Sequence, residues 1–244
     1  MAEVACNLSD EVEGAPQARG LATLQATDRL REMILDGSLP PGARISERHM
    51  HEAFGLSRTP LREALKVLNA EGLVELAPNR GAMVTRLSLT DLQAAFELLA
   101  TLDGTGGEYA CERASDAEIA HIAELHDQMV AEFKKRDLQR YFRLNKDIHL
   151  AIVDAAANPA LSRVYRSECA RVDRYRFSGN RDLERWERSI RQHEQILDAL
   201  RTRQGTLLRE ILIAHRRSGW VLAKALHDAE NADAIETLPR ISKL

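Results

Sequence analysis

The chain has 244 residues, of which 44% are hydrophobic and 29% charged, an ordinary composition for a globular protein with two modest domains. The formal net charge is −3, but residues 21–87 carry a small excess of basic side chains while the remainder is acidic, which indicates nucleic-acid contact near the N-terminal end. Three widely spaced cysteines exclude a disulfide framework and a zinc ribbon, and no apolar run approaches the roughly 20 residues of a membrane span, so we expect a cytoplasmic protein.

The N-terminal part of the chain predicts three helices. An apolar stripe at helical spacing covers residues 21–36 and ends in a cluster of Gly and Pro. A short helix then follows the cap Ser46, and a third helix runs from a cap at Ser57 or Thr59 to Gly72.

After the third helix the spacing of apolar residues changes from that of a helix to that of strands. Residues 73–76 and 82–85 predict two short strands, and residues 78–81 predict the turn between them. Three helices followed by a hairpin are the order of a winged helix-turn-helix. From residue 88 onward there is no strand pattern, so the chain as a whole is expected to be mainly α.

The second region predicts a bundle of about six helices. They span residues 90–113, 116–136, 138–156, 159–178, 181–203 and 206–228. Gly104, Gly106 and Gly107 lie inside the first of them, and close helix packing or a bend would explain three glycines there. The expected domains are a flexible tail at 1–20, the winged helix-turn-helix at 21–87, the helical domain at 88–230 and a loose tail at 231–244.

The third helix has the features of a DNA-recognition helix. Arg58, Arg62 and Lys66 recur at i, i+4 and i+8, opposite a stripe of leucines. Arginine in the major groove can bridge O6 and N7 of guanine, and the hydroxyls of Ser57 and Thr59 suit phosphate oxygens. A solvated basic face is the alternative interpretation of the three cations, and the adjoining basic hairpin tip disfavours it.

The N-terminal region resembles the GntR family of bacterial transcription regulators over about residues 24–87. The segments that carry the resemblance are ILDGSLPPG at 34–42, SER at 46–48, SRTPLREAL at 57–65, EGLV at 71–74 and NRG at 79–81. The resemblance implies a winged helix-turn-helix and a homodimer on a palindromic operator of double-stranded DNA. It places the DNA contacts on Arg48, Ser57, Arg58, Thr59, Arg62 and the wing residues Asn79, Arg80 and Gly81.

His149, His193 and His215 lie on three different predicted helices among apolar neighbours. Three imidazoles that converge inside a helical bundle suit a divalent metal ion such as zinc or nickel. Sequence alone does not show that they converge, and for any one of them an ordinary core or surface histidine is the better interpretation.

The second region resembles the FCD-type ligand-binding domain of the FadR subfamily over about residues 90–228. The segments that carry the resemblance are NKDIH at 145–149, AAANP at 155–159, HEQILDAL at 193–200 and His215. It implies a divalent metal held by Asn145, His149, His193 and His215, and an organic carboxylate as effector. Two positions depart from the family pattern: Asn145 stands where many members have a carboxylate, and Leu99 stands where many have an arginine.

The effector site is further expected to contain an arginine, because a guanidinium binds carboxylates bidentately. Arg171 and Arg174 are the candidates, ahead of Arg176, in a helix that could line the cavity. A solvated basic face is the alternative for each of them.

Three functions remain open at this point. The first is a ligand-responsive, sequence-specific transcription regulator, most often a repressor in this family. The second is a hydrolytic metal enzyme, which is disfavoured because no general base is placed near the histidines. The third is a metal-responsive or ligand-free DNA-binding regulator in which the metal is structural or is itself the signal.

Overall fold

The computed structural model describes residues 16–55, 57–77, 81–178 and 183–236. In chain order the elements are α1 (Pro16–Leu35), β1 (Arg44–Ile45), α2 (Glu47–Phe54), α3 (Arg58–Ala70), β2 (Val74–Ala77), β3 (Gly81–Val84), α4 (Leu89–Arg113), α5 (Asp116–Lys135), α6 (Leu138–Ala155), α7 (Pro159–Ser178), α8 (Leu183–Arg201) and α9 (Gly205–Glu236). The protein is therefore mainly α, with a winged helix-turn-helix from α1 to β3 and a helical bundle from α4 to α9.

The winged helix-turn-helix has its own hydrophobic core. The predicted stripe of α3 is buried there: Leu61, Ala64 and Leu68 have no exposed surface and Leu65 is 2% exposed. The three strands form an antiparallel sheet in the order β1-β3-β2. Strand β1 was not predicted, because two residues are too short to show the alternation that identifies a strand.

The local signals at the helix ends explain where α2 and α3 begin. The Ser46 side chain accepts a hydrogen bond from the His49 amide, as predicted, and Gly55 ends α2 in the left-handed region at φ 66°. Ser57 occupies the N-cap position of α3 in an extended conformation, but its hydroxyl makes no cap hydrogen bond. That hydroxyl is therefore not committed to holding the helix end.

In the helical bundle, α4 and α9 make the most extensive contact between two helices. The three glycines of α4 allow it: a Cβ at Gly104 would lie 3.0 Å from Ile213 Cδ1, and one at Gly107 would overlap Leu212. A Cβ at Gly106 would lie 3.0 Å from a side-chain atom of α6. The expected close helix packing is thus confirmed at this point of the bundle.

Helices α4 to α8 begin and end within two residues of their predicted bounds, but the outer helices are longer than predicted. Helix α1 begins at Pro16, inside the expected tail at 1–20, since proline is well suited to the first turn of a helix. Helix α9 continues to Glu236, into the expected tail at 231–244, because residues 229–236 contain three alanines and no Gly or Pro. Among the described residues, no helix is both long and apolar enough to cross a membrane.

Candidate DNA-reading face and effector site

The exposed face of α3 presents the predicted basic residues. Arg58, Arg62 and Lys66 are all exposed, on the side of the helix opposite its buried stripe. Arg62 Nε donates to Glu47 Oε2 at 2.8 Å, and Lys66 Nζ donates to a carboxylate on its own helix at 2.7 Å. Such exposed ion pairs are worth only about 0–1 kcal/mol, so a phosphate or a guanine can replace these partners at little cost.

The remaining predicted DNA contacts surround the N-terminus of α3. Ser57 and Thr59 are exposed beside its first free amides, where a phosphate oxygen binds favourably. Arg48 on α2 is exposed and pairs with Glu52 on its own helix at 3.0 Å. Gly81 is exposed at the start of β3 with φ 78°. The other two wing residues, Asn79 and Arg80, lie outside the described residues.

The three histidines singled out in the sequence meet in the bundle. His149 comes from α6, His193 from α8 and His215 from α9, and their ring centroids lie 4.9–5.1 Å from one another. One ligand nitrogen from each lies within 4.8 Å of the other two. His149 and His193 are 1% exposed, and His215 is partly exposed. The geometry can therefore offer three imidazole nitrogens to a single cation.

Each imidazole also has a polar neighbour that can fix its orientation. Gln192 Oε1 lies 2.8 Å from His215 Nδ1, which leaves Nε2 of that ring for a metal. Asn145 Nδ2 lies 2.8 Å from His193 Nε2, and a rotation of this amide would bring its oxygen to the same place. Imidazole nitrogens with one amide oxygen are a donor set that zinc and nickel accept, although an amide binds more weakly than a carboxylate.

A buried polar network lies behind the histidines and was not found from the sequence. Asp103 on α4 accepts hydrogen bonds from Arg216 Nε at 2.5 Å and from the Tyr165 hydroxyl at 2.7 Å, and all three side chains are at most 2% exposed. Its Oδ1 also lies 3.4 Å from His149 Nδ1. Burial alone would raise the pKa of Asp103, but the positive charge of Arg216 holds the pKa well below its usual range. Asp103 is therefore an ionised carboxylate beside the histidine cluster.

The network could have been suspected from one signal. Asp103 lies four residues after Leu99 and seven after Phe96, on the buried face of α4. A carboxylate on an otherwise apolar face needs a partner. Its partner Arg216 directly follows His215 and is far away in sequence, so the pair itself could not be identified without the fold.

A cavity of about 270 Å³ opens beside the histidine cluster. Its polar lining includes Asn145 and His215 from the cluster and three arginines, Arg185 and Arg188 of α8 and Arg216 of α9. Phe96 and Phe142 contribute apolar wall. No acidic side chain is found among the described residues that line the cavity. The space therefore suits a small anion with some apolar surface.

The expectation that Arg171 lines this cavity requires correction. Its Nη1 bonds Glu168 at 2.8 Å, and its Cγ lies 2.8 Å from where a Cβ at Gly72 would stand, so it packs against the winged helix-turn-helix. The predicted helix was right, but this face of α7 turns toward the first domain. The side chain of Arg174 lies outside the described part of the structure, so its role in effector binding stays a prediction.

Leu99, the second position that departs from the family pattern, is fully buried in the apolar core. It contributes no charge to the cavity. Arg216 of α9 brings a guanidinium to the cavity wall, but this guanidinium is already paired with Asp103.

Comparison with known protein families gives two matches. The family described as bacterial regulatory proteins, gntR family, matches residues 22–84, and the FCD domain matches residues 94–218. The two matches agree with the division between the winged helix-turn-helix and the helical bundle.

Individual proteins give the same picture. An HTH-type transcriptional regulator in an unstable DNA locus of Streptomyces ambofaciens is 30% identical over 196 residues, which cover 78% of this chain and 80% of that protein. The HTH-type transcriptional repressor RspR of Escherichia coli strain K12 is 25% identical over 187 residues, covering 76% and 82%. Among solved structures, E. coli McbR/YncC superposes with a TM-score of 0.74 at 22% identity, over 84% of this chain and 98% of that one, and so shares its fold.

Proposed function

Because the chain belongs to the GntR family and carries an FCD domain, it is a transcription regulator and not an enzyme, and we propose that a small organic acid controls its binding to an operator. In this proposal the protein is a cytoplasmic homodimer on a palindromic DNA site and acts as a repressor, the activity named for the E. coli relative. A divalent metal ion, zinc or nickel, is held by Asn145, His149, His193 and His215.

The observation that carries the effector proposal is the charge of the cavity beside the histidines. Three arginines, a histidine and two amides line it, and its described lining has no carboxylate. A metal ion bound to the histidines would add further positive charge at one end. Anionic ligands would therefore bind favourably, and the volume of about 270 Å³ limits them to small molecules.

The three arginines differ in how free their guanidinium groups are to bind an anion. Arg188 is exposed, and no hydrogen bond or ion pair to the described residues occupies its guanidinium. Arg185 donates to the Ser218 carbonyl at 3.2 Å and is partly buried. Arg216 is committed to Asp103. Arg188 is therefore the residue that we expect to bind the effector carboxylate most directly.

The DNA-binding part of the proposal rests on the exposed face of α3. Arg58 and Arg62 would contact base edges, since an α-helix fits into the major groove of DNA. The buried residues of α3 lie on the opposite side of the helix, so the two arginines face outward. Arg48, Ser57, Thr59, Lys66 and the wing residues 79–81 would contact phosphates or neighbouring base edges.

A regulator of this kind needs contact between its two domains, and the structure contains one. Arg171 of α7 packs on Gly72, just after the end of α3. Helix α1 also packs against α7. Effector binding would favour one placement of the DNA-binding domains and operator binding another, with the same coupling free energy in both directions.

The test is a thermal-shift screen of zinc- or nickel-loaded protein against small mono-, di- and tricarboxylic acids, followed by operator titration with each hit. A true effector raises the melting temperature as RT ln(1 + [L]/Kd) and weakens operator binding. The shift should disappear with chelator and in His149→Ala. Hits that stabilise the His149→Ala variant as much as the wild type would refute a metal-assisted effector site.

A second candidate function is a regulator for which the metal itself is the signal. The burial of His149 and His193 favours it, because a closed site suits a sensed or structural ion better than one that must admit a ligand. In that case operator affinity responds to zinc or nickel in the absence of any organic acid, and the carboxylic acid panel gives no hit.

A further inference from the structure

The polar neighbours of the three histidines are not equivalent. Those of His193 and His215 are neutral amides, Asn145 (itself a proposed metal ligand) and Gln192, whereas His149 has the carboxylate of Asp103 at 3.4 Å from Nδ1. Both members of this pair are 1% exposed. A buried charged group therefore lies beside one of the three candidate metal ligands.

The hydrogen bonds to Asp103 orient its carboxylate so that one oxygen faces the imidazole of His149. Oδ2 of Asp103 is occupied by Arg216 Nε at 2.5 Å, while Oδ1 accepts from the Tyr165 hydroxyl at 2.7 Å and also faces His149 Nδ1. Arg216 Nη2 bonds the same hydroxyl at 2.6 Å and closes the network. Arg216 and Tyr165 thus hold the carboxylate in one orientation.

A buried carboxylate is strongly destabilising without a partner, so Arg216 is needed to keep Asp103 charged. The ion pair needs nothing from His149, however, since Arg216 and Tyr165 already supply strong hydrogen bonds. The ion pair therefore does not explain why Oδ1 lies so close to His149 Nδ1. This proximity bears on which nitrogen of the imidazole carries the proton.

We propose that Asp103 is a positioning residue for His149: it accepts the Nδ1–H of the imidazole and so presents Nε2 toward His193 and His215 as a metal ligand. The proposal rests on the metal site proposed above. A carboxylate behind a metal-bound histidine fixes its tautomer and increases its basicity, and loss of such a partner commonly lowers metal affinity 10–100-fold. The neutral Asn145 makes this support more important, because the site lacks a carboxylate ligand of its own.

The test combines zinc affinity with the tautomer of His149 in metal-free protein. Asp103→Asn keeps the size of the side chain but replaces the carboxylate, and we expect zinc to bind 10–100-fold more weakly. In the wild type, ¹⁵N shifts of the His149 ring should show protonated Nδ1 and unprotonated Nε2. In Asp103→Asn the two tautomers should be mixed, or Nε2 should carry the proton.

Tyr165→Phe is the matched control. It removes one hydrogen bond from the same carboxylate but leaves the carboxylate beside His149, so it should lower stability while zinc affinity stays within about threefold and the tautomer is unchanged. If Asp103→Asn is too unstable to study, the double variant Asp103→Asn/Arg216→Met, which removes both buried charges, serves in its place.

The outcomes separate the two proposals. If the wild type binds no zinc, the metal site fails, and the tautomer of His149 in metal-free protein still decides the role of Asp103. If zinc binds and the Asp103 variants keep wild-type affinity and tautomer, Asp103 has only a structural role and the inference is overturned.

Discussion

Gly107→Ala is expected to disturb both the stability of the helical bundle and its metal site, because α4 and α9 approach most closely there. A Cβ at this position would overlap Leu212 and lie 3.0 Å from Leu208 Cγ, and both leucines are fully buried. The overlap involves a packed core, so α9 has to shift. Overpacking of this kind costs about 1–3 kcal/mol, and the better helix propensity of Ala offsets about 1 kcal/mol of it.

We therefore expect a net loss of up to about 2 kcal/mol, which is up to roughly 8 °C in Tm for a protein of this size. The assay is thermal and urea unfolding of the metal-free protein. His215 lies one helical turn after Leu212, so a shift of α9 should also displace His215 and weaken zinc binding.

Gly219→Ala is the matched control for this substitution. It also lies inside a helix, but its added Cβ would lie 3.5 Å from Phe96, an ordinary contact. This variant should gain up to about 1 kcal/mol from helix propensity. If Gly107→Ala proves as stable as Gly219→Ala and binds zinc as the wild type does, the close packing of α4 on α9 does not determine the site.

Three further predictions concern the DNA-reading face, the cavity and a helix cap. Arg58→Ala and Arg62→Ala should each lose about 1–3 kcal/mol of discrimination between operator and unrelated DNA in gel-shift or anisotropy titrations, and full retention in both would show that α3 is not the reading element. Arg188→Ala should weaken binding of the effector carboxylate at least tenfold in calorimetry, whereas Arg217→Ala, an exposed residue outside that cavity, should change it less than threefold. Ser46→Ala should lower the free energy of unfolding by about 1 kcal/mol, because the cap hydrogen bond to the amide of α2 is lost, and an unchanged stability would contradict that role.

The sequence was most informative where a single local rule determines the structure. The apolar stripe of α3, the cap at Ser46 and the helices of the bundle were all predicted, because helical periodicity and capping act over a few residues. The convergence of His149, His193 and His215 came from resemblance to the FCD family. Helical spacing alone could not place three different helices around one point.

What the sequence missed depends on which face of a helix meets which neighbour. Asp103 and Arg216 are 113 residues apart, and neither is unusual in its own segment. Arg171 was predicted to line the cavity because it lies in the right helix, yet that helix also packs against α1 and the residue faces Gly72. The rotation of a helix about its axis is set by tertiary packing, and the sequence of α7 alone does not determine it.

Helix α6 is one element that connects the histidine cluster with the contact between the domains. Asn145 faces His193, and the next residue, Lys146, turns the other way and pairs with Asp173 of α7 at 2.5 Å. The same helix α7 packs Arg171 on Gly72, two residues after the end of α3. A ligand can shift the placement of the DNA-binding domain only by its difference in affinity for the two placements. A movement of α6 that improves the coordination by Asn145 and His149 would therefore reach α3 through one ion pair and one tight packing contact. If the proposed effector control is correct, Lys146 and Arg171 would transmit the movement although neither contacts the effector or the DNA in the proposal.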